Sequence, residues 1–325
     1  MTRPVCVVTG ATGAIGPGVV DALADTFEVR TLTRRPPPPH LFRAPVTSFT
    51  GDVSDVAAVR RAGEGARVIV HLAALLHIVD PPAAMRAEYE RVNVGGTVAV
   101  MDAAKSVGVS RVVLLSTVAV YGHQPGVVLD EDSPTRPDTF YAETKLAAER
   151  VAIDARTDDG HPLATVLRAA AVYGPRVKGN YQRLVRALAR HRFVPIGAGD
   201  NLRTMVFEDD LAAATALAAG HTAAGGRIYN VSDGNPHALR DIIAAISAAL
   251  GRRPPRWHVP IAPVRAAFRA AAVVDRRLPG MLNKYLEEVA VDASRIQTEL
   301  GFRPKTGLVE GWSTTVAEMR RSGRL

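Results

Sequence analysis

The feature that most constrains this chain is Thr9-Gly10-Ala11-Thr12-Gly13-Ala14-Ile15-Gly16, set directly after the apolar run Val5-Cys6-Val7-Val8 and directly before a helical segment. Glycines at such a junction let a buried strand turn sharply into a helix and bring backbone N–H groups close to a pyrophosphate, whose charge the helix N-terminus stabilises. Pro17 fits the first helical turn, where the N–H groups have no intrahelical partner. The position of the loop marks a dinucleotide site with Gly10, Thr12, Gly13, Ala14, Ile15 and Gly16 as cofactor-binding residues.

A loop of this kind belongs to a parallel sheet, and the chain supplies one. Continuous apolar runs at Val5 to Val8, Glu28 to Leu32, Val68 to Leu72, Val112 to Ser116 and Ala164 to Leu167 read as strands buried on both faces. Helical stretches lie between them, at Gly18 to Ala24, Val56 to Ala62, Tyr89 to Ser106 and Tyr141 to Ala155. The fold class is α/β: a doubly wound parallel Rossmann sheet with a smaller, mainly C-terminal α/β substrate lobe. Residues 1–174 form the dinucleotide-binding unit and 175–325 mainly the substrate lobe, with a strand at 227–231 returning to the sheet. Pro36 to Pro39 marks a surface loop, and no repeat of fixed period is visible.

The 47% hydrophobic and 22% charged content is that of a globular chain and excludes disorder, collagen and coiled coil. The longest apolar candidate for a membrane span, Ala262 to Val274, is cut by Arg265 and Arg269, and Gly10 follows Met1 too closely for a signal peptide. A cytoplasmic protein without a membrane partner is expected. Cys6, the single cysteine, reads as a core thiol. The net charge of +8 is an arginine excess, with only Lys105, Lys145, Lys178, Lys284 and Lys305 as lysines. No nucleic-acid motif accompanies it, so nucleic acid is not an expected partner, whereas small phosphorylated ligands are compatible with it. The nine histidines, His71 and His77 among them, show no metal-ligand spacing, and no metal site is expected.

An NAD site commonly ends its second strand in Asp or Glu, which binds the ribose 2′-hydroxyl. Here the segment is Thr31-Leu32-Thr33-Arg34-Arg35. With no carboxylate to repel a 2′-phosphate, Arg34 and Arg35 favour NADP over NAD; the other reading makes them solvated loop residues. Asp52, followed by Val53, either bonds the adenine amino group or caps its own loop.

Tyr141 and Lys145 stand four apart on a helical segment and share a face. An ammonium beside a phenol stabilises tyrosinate and is expected to lower its pKa towards the range of proton exchange with a secondary alcohol. Thr117, at the carboxyl end of the strand from Val112, supplies a hydroxyl for the substrate oxygen, while Ser116 alternates to the other side.

These motifs resemble the extended short-chain dehydrogenase/reductases of the NAD-dependent epimerase/dehydratase family. The resemblance spans nearly the whole chain: TGATGAIG at 9–16, GDVSD at 51–55, HLAA at 71–74, VNVGGT at 92–97, STVAVYG at 116–122, YAETK at 141–145, LRAAAVYGP at 167–175 and FEDDLA at 207–212. It implies Tyr141 as acid-base residue, Lys145 as its pKa tuner and nicotinamide-ribose ligand, and Thr117 as hydroxyl partner. It places Val53, Leu72, Ala73, Ala74 and Asn93 at the cofactor, with Asn93 also supporting the active-site helix. A homodimer through the helices at 89–106 and 141–155 is likewise implied.

Sugar 4,6-dehydratases of this family carry Asp-Glu after the threonine, and Val118-Ala119 stand here, which argues against dehydration. The stretch from Tyr173 to Tyr181 and Asn201-Leu202-Arg203-Thr204 is similar to members acting on UDP-linked sugars, with Asn180 and Arg203 implied at the nucleotide diphosphate; Arg203 reads alternatively as a surface residue. Ala171 replaces the asparagine found before Val-Tyr-Gly in well-characterised galactose epimerases. The resemblance thus implies NAD(P)-dependent chemistry at C4 of a nucleotide-sugar: a UDP-sugar 4-epimerase, with an NADPH-dependent reductase of a keto-sugar or of a steroid- or flavonoid-like ketone as the alternative. A non-catalytic NADP-sensing regulator is the third reading, against which the retained Tyr141 and Lys145 argue.

Overall fold

The computed structural model describes residues 2–76, 82–271 and 278–325. His77 and residues 272–274 of the apolar stretch at 262–274 therefore lie outside the described residues.

Seven strands form one parallel sheet: β1 (Val5–Thr9), β2 (Glu28–Thr33), β3 (Val46–Thr50), β4 (Ala66–His71), β5 (Arg111–Thr117), β7 (Ala164–Ala169) and β10 (Ile228–Val231). Of the strands between them in sequence, β6 is Val128–Leu129, β8 is Ala171–Tyr173 and β9 is Leu202–Phe207. The sheet order is β10-β7-β5-β4-β1-β2-β3, so the order of strand addition reverses between β1 and β4, where a doubly wound sheet opens a crevice. Cys6, Val7 and Val8 are fully buried, as a strand covered on both faces requires. Burial holds the Cys6 thiol far above its ordinary pKa, so it is an inert core group. β3 is one of the two edge strands, and its exposed Thr47, Ser48 and Thr50 explain why Val46-Thr-Ser-Phe-Thr lacks the continuous apolar character of the others.

Helices cover both faces: α1 (Gly16–Leu23), α2 (Val56–Gly63), α4 (Gly96–Ser106), α5 (Phe140–Asp154) and α7 (Glu208–Gly220), while α3 (Arg86–Tyr89) leads into α4 and α6 (Asn180–Ala189) lies with β8 and β9 of a second sheet. Thr139 caps α5 through its hydroxyl, which accepts from the Ala142 N–H at 3.2 Å, and Glu143 lies in the positive first turn. The sequence predicts a single helix from 89 to 106. The chain instead starts α3 at Arg86 and passes through a π-helical stretch, Glu90–Gly95, before α4. Such wide turns cannot be seen in apolar spacing and occur often at functional sites.

A second, three-stranded sheet orders β8, β9 and β11 (Pro236–Ala238), and a short pair joins β6 to β12 (Ala290–Val291). The remaining helices are α8 (Leu239–Ala249), α9 (Ile261–Ala271), α10 (Leu278–Leu286), α11 (Ser294–Leu300) and α12 (Leu308–Arg321). A separate apolar cluster gathers Tyr173, Val185, Met205, Phe207, Ile242, Ile246, Trp312 and Val316 from β8, β9, α6, α8 and α12. No helix among the described residues is long and apolar enough to cross a membrane.

Candidate active site

A cleft of about 680 Å³ follows the carboxyl ends of β1 to β5 and continues towards α6 and α12. Gly10, Thr12, Gly13, Ala14 and Ile15 form one wall, and Leu72, Ala73 and Ala74 the facing one. Gly10 has φ of 73°, and a Cβ there would lie 2.5 Å from the Ala73 backbone nitrogen, so the bend after β1 can press against the end of β4 only as glycine. The Gly13 N–H closes the turn onto the Gly10 carbonyl at 2.9 Å. A backbone bare of side chains and followed by a helix N-terminus suits a dinucleotide pyrophosphate.

Gly16 departs from the sequence expectation because it does not line the cleft. A Cβ on it would sit 2.2 Å from the Ala11 carbonyl oxygen, so this glycine lets α1 approach the loop. Arg34, Asp52 and Val53 stand on the cleft wall beyond β2 and β3, whereas Arg35 does not line it. The Asp52 carboxylate accepts from the Ser54 N–H at 2.9 Å and the Ser54 hydroxyl at 2.7 Å through Oδ1. These bonds hold it below the ordinary carboxylate range, and the loop-capping role read from sequence is therefore present.

Thr117, Tyr141 and Lys145 meet on the same cleft. Thr117 ends β5, and its hydroxyl accepts from the Ala119 N–H at 3.2 Å and is hydrogen-bonded to the Tyr141 phenol. Ser116 points to the opposite side and donates to Glu149, as strand alternation predicts. The Lys145 ammonium is buried and donates to the Leu115 carbonyl at 2.6 Å. Burial brings its pKa down to about 8, against the opposing pull of Glu149 one turn further along α5.

The expected lowering of the phenol pKa does not appear. Burial pushes Tyr141 up to about 12, and the Thr117 hydrogen bond only partly opposes it. At neutral pH the phenol is a proton donor.

Asn93 is also placed differently from the expected cofactor contact. Its Oδ1 accepts from the Leu75 N–H at 2.7 Å, and its Nδ2 donates to the Leu75 carbonyl at 3.2 Å and to Thr144 Oγ1 at 3.0 Å. From the π-helical stretch it clamps the loop after β4 to α5. The same stretch anchors His71. Thr97 donates its only hydroxyl proton to the Asn93 carbonyl at 2.7 Å, so His71 Nε2 donates to Thr97 and Nδ1 accepts from Thr9 at 2.7 Å. Burial drives His71 down to about 3, with Lys145 adding to the shift, so it is a neutral strut between β1, β4 and the π turn.

Asn180 lies on the cleft at the start of α6. Arg203 does not line it. Its guanidinium donates to the carbonyls of Lys284 at 2.8 Å, Tyr285 at 2.6 Å and Glu287 at 3.4 Å, tying β9 to the end of α10. This corrects the expected diphosphate contact, because the fork is taken up by backbone oxygens.

The sequence profile of the NAD dependent epimerase/dehydratase family matches residues 6–232. The chain belongs to that family. It is 27% identical to the UDP-glucose 4-epimerase of Vibrio cholerae over 322 residues, covering 95% of this chain and 93% of that one. It is 32% identical to the dTDP-glucose 4,6-dehydratase of Streptomyces griseus over 270 residues, covering 82% and 75%. A solved structure, MoeE5 in complex with UDP-glucuronic acid and NAD, superposes with a TM-score of 0.78 at 30% identity, covering 98% of this chain and 99% of that chain. The family is one of enzymes, and this chain is an enzyme of the extended short-chain dehydrogenase type.

Beside the family's tyrosine and lysine, the cleft contains groups that the sequence reading passed over. Of the five lysines, Lys145, Lys178 and Lys284 all line it. The rarity of lysine in so arginine-rich a chain was an available signal for Lys178. Lys284, on α10, needed the tertiary fold. Tyr173 and Trp312 also border the cleft, and the phenolic oxygen of one and the indole nitrogen of the other are buried without a hydrogen-bond partner among the described residues.

Proposed function

We propose that the chain is an NAD(P)-dependent UDP-sugar 4-epimerase working through a transient 4-keto sugar. The observation that carries this reading is the convergence of Thr117, Tyr141 and Lys145 on a cleft that also holds the glycine bend. The dinucleotide, when bound along Gly10 to Ile15, supplies the hydride acceptor and donor. Once its own proton has been lost, Tyr141 as tyrosinate takes the proton of the C4 hydroxyl and later returns it to the keto oxygen. Thr117 hydrogen-bonds the same oxygen, and Lys145 is the cation that favours loss of the phenolic proton. Asn180 and Lys178, on the cleft near α6, are suited to the nucleotide diphosphate. Within this reading residues 1–174 hold the dinucleotide and residues 175–325 mainly the sugar nucleotide, in a cytoplasmic homodimer.

Where the dehydratases of the family carry an acid and a base, Val118 is buried and Ala119 borders the cleft. Neither side chain can remove or deliver a proton, which supports epimerisation over dehydration. Two observations support a second reading, an NADPH-dependent 4-ketoreductase: the phenol is held protonated, and Arg34 stands on the cleft wall where β2 ends without a carboxylate. Incubation of the purified chain with a panel of UDP-sugars tests both. Interconversion of C4 epimers without net consumption of dinucleotide supports epimerisation. Stoichiometric NADPH oxidation by 4-keto sugars supports reduction, and absence of both reactions rejects chemistry at C4.

A further inference from the structure

The segment from Arg252 to Leu286 carries eight of the chain's forty Lys and Arg residues and one of its thirty-two Asp and Glu, and so holds +7 of the net charge of +8. The two carboxylates that follow are engaged locally: Glu287 pairs with Lys284 at 2.5 Å, and Glu288 accepts from the Gly126 N–H at 3.0 Å. Within 252–271 there are five arginines and no acidic residue, and all five are exposed.

This charge is interleaved with apolar surface. Trp257 is 87% exposed, Val259 and Met281 are also exposed, and α9 has no buried residue along its eleven positions. Ile261, Val264 and Phe268 are half-buried on one side of α9, while Ala262, Ala266, Ala267 and Ala270 share the exposed surface with Arg265 and Arg269. The chain's other tryptophan, Trp312, is only 1% exposed. An indole held in water beside a belt of guanidiniums is costly for a freely soluble surface and suited to a lipid–water interface. There the ring lies at the headgroup level and the cations meet anionic phosphates.

We propose that the face formed by Arg253, Arg256, Trp257, the exposed side of α9 and Met281 docks the enzyme on an anionic phospholipid surface. The arginines that cut the apolar stretch and rule out a spanning helix are the groups that a helix lying on the surface requires. The docking face is also continuous with the catalytic cleft. Lys284, on the same helix as Met281, lines the cleft, and Ile261 of α9 packs against Gly197. A docked enzyme therefore presents the α10 side of its cleft towards the membrane surface. Charge complementarity selects an anionic bilayer. A second copy of the chain, carrying the same five exposed arginines, is repelled by it.

The test uses the full chain with vesicles of phosphatidylcholine, with and without phosphatidylglycerol, followed by sedimentation and tryptophan fluorescence. Binding to the anionic vesicles alone, weakened by salt and accompanied by a blue shift from Trp257, is the expected result. Trp312 is already sealed and serves as the internal constant. W257A and R265E/R269E, all at exposed positions, should each weaken binding by at least about tenfold. Equal binding to neutral vesicles, no binding to anionic ones, wild-type affinity in both variants, or a self-association that W257A abolishes would each overturn the proposal.

Discussion

Arg168 of β7 and Glu149 of α5 form a buried ion pair, with Arg168 Nη2 2.8 Å from Glu149 Oε2 and Nε within 3.1 and 3.2 Å of the two carboxylate oxygens. Arg168 also donates to the Tyr121 hydroxyl at 2.9 Å, and Tyr121 donates to Asn230 Oδ1 at 2.9 Å. Asn230 in turn donates from its backbone to Glu131 at 2.7 Å and from its side chain to the Asp292 carbonyl at 2.9 Å. The network binds β5, α5, β7 and β10 to the segment before α11.

Removing one partner strands the other as a buried charge. Arg168→Met should therefore lower the unfolding free energy by about 3–5 kcal/mol, read from the urea midpoint. The double variant Glu149→Gln/Arg168→Met should recover part of that loss. If the single variant unfolds at the wild-type midpoint, the pair does not hold the helix.

Lys145 connects this network to pH dependence. Burial lowers its pKa from 10.5 to about 8, so the ammonium predominates below pH 8 and is lost above it. The rate parameter kcat/KM should fall as pH rises through about 8. Stability moves the other way: between about 8 and 10.5 the unfolded chain binds more protons, and the wild type should gain up to about 3 kcal/mol as pH rises through this window. Lys145→Met should lack that gain. Glu149 favours the charged lysine, so Glu149→Gln should shift the alkaline limb of kcat/KM to lower pH. A limb that stays at the same pH would separate Glu149 from the chemistry.

Tyr141→Phe removes the phenolic oxygen, and with it the hydrogen bond to Thr117, and keeps the ring. Turnover should fall by roughly 10²–10⁴ while dinucleotide affinity, followed by fluorescence titration, stays at the wild-type value. Unimpaired turnover would remove Tyr141 from the proton path. Loss of dinucleotide binding instead would make it a wall of the cofactor site.

The sheet and the front of the cleft were legible because they rest on local, periodic signals: buried apolar runs for β1, β4, β5 and β7, a glycine loop fixed by its place after a strand, and a Tyr-Lys spacing set by the helix period. What was not legible depends on long-range contacts. Arg203 matches a diphosphate-binding position in sequence, but three carbonyls near the end of α10, about eighty residues away, take up its donors. The sequence places Lys145 next to Tyr141 and suggests an acidified phenol. Desolvation, which no spacing reveals, dominates both groups. The acidic run at 208–210 is also structural: Asp210 accepts the Lys305 and Thr306 N–H groups at 2.9 and 3.0 Å, and Glu208 pairs with Arg176 at 3.2 Å.

In the proposed reading, the wall beyond β2 sets the choice of dinucleotide. Arg34 offers a guanidinium to a 2′-phosphate, yet Asp52 and Glu88 border the same end of the cleft. Hydrogen bonds from Arg91 hold the Glu88 carboxyl below its ordinary range, so it stays ionised and repels added negative charge. Arg34 therefore acts against two carboxylates, and its removal should matter more for NADPH than for NADH. Arg34→Ala should weaken NADPH by on the order of tenfold and leave NADH within about twofold, with the difference shrinking as salt is added. Equal losses for both dinucleotides would make Arg34 a general anion contact, and no loss for either would leave it a solvated loop residue.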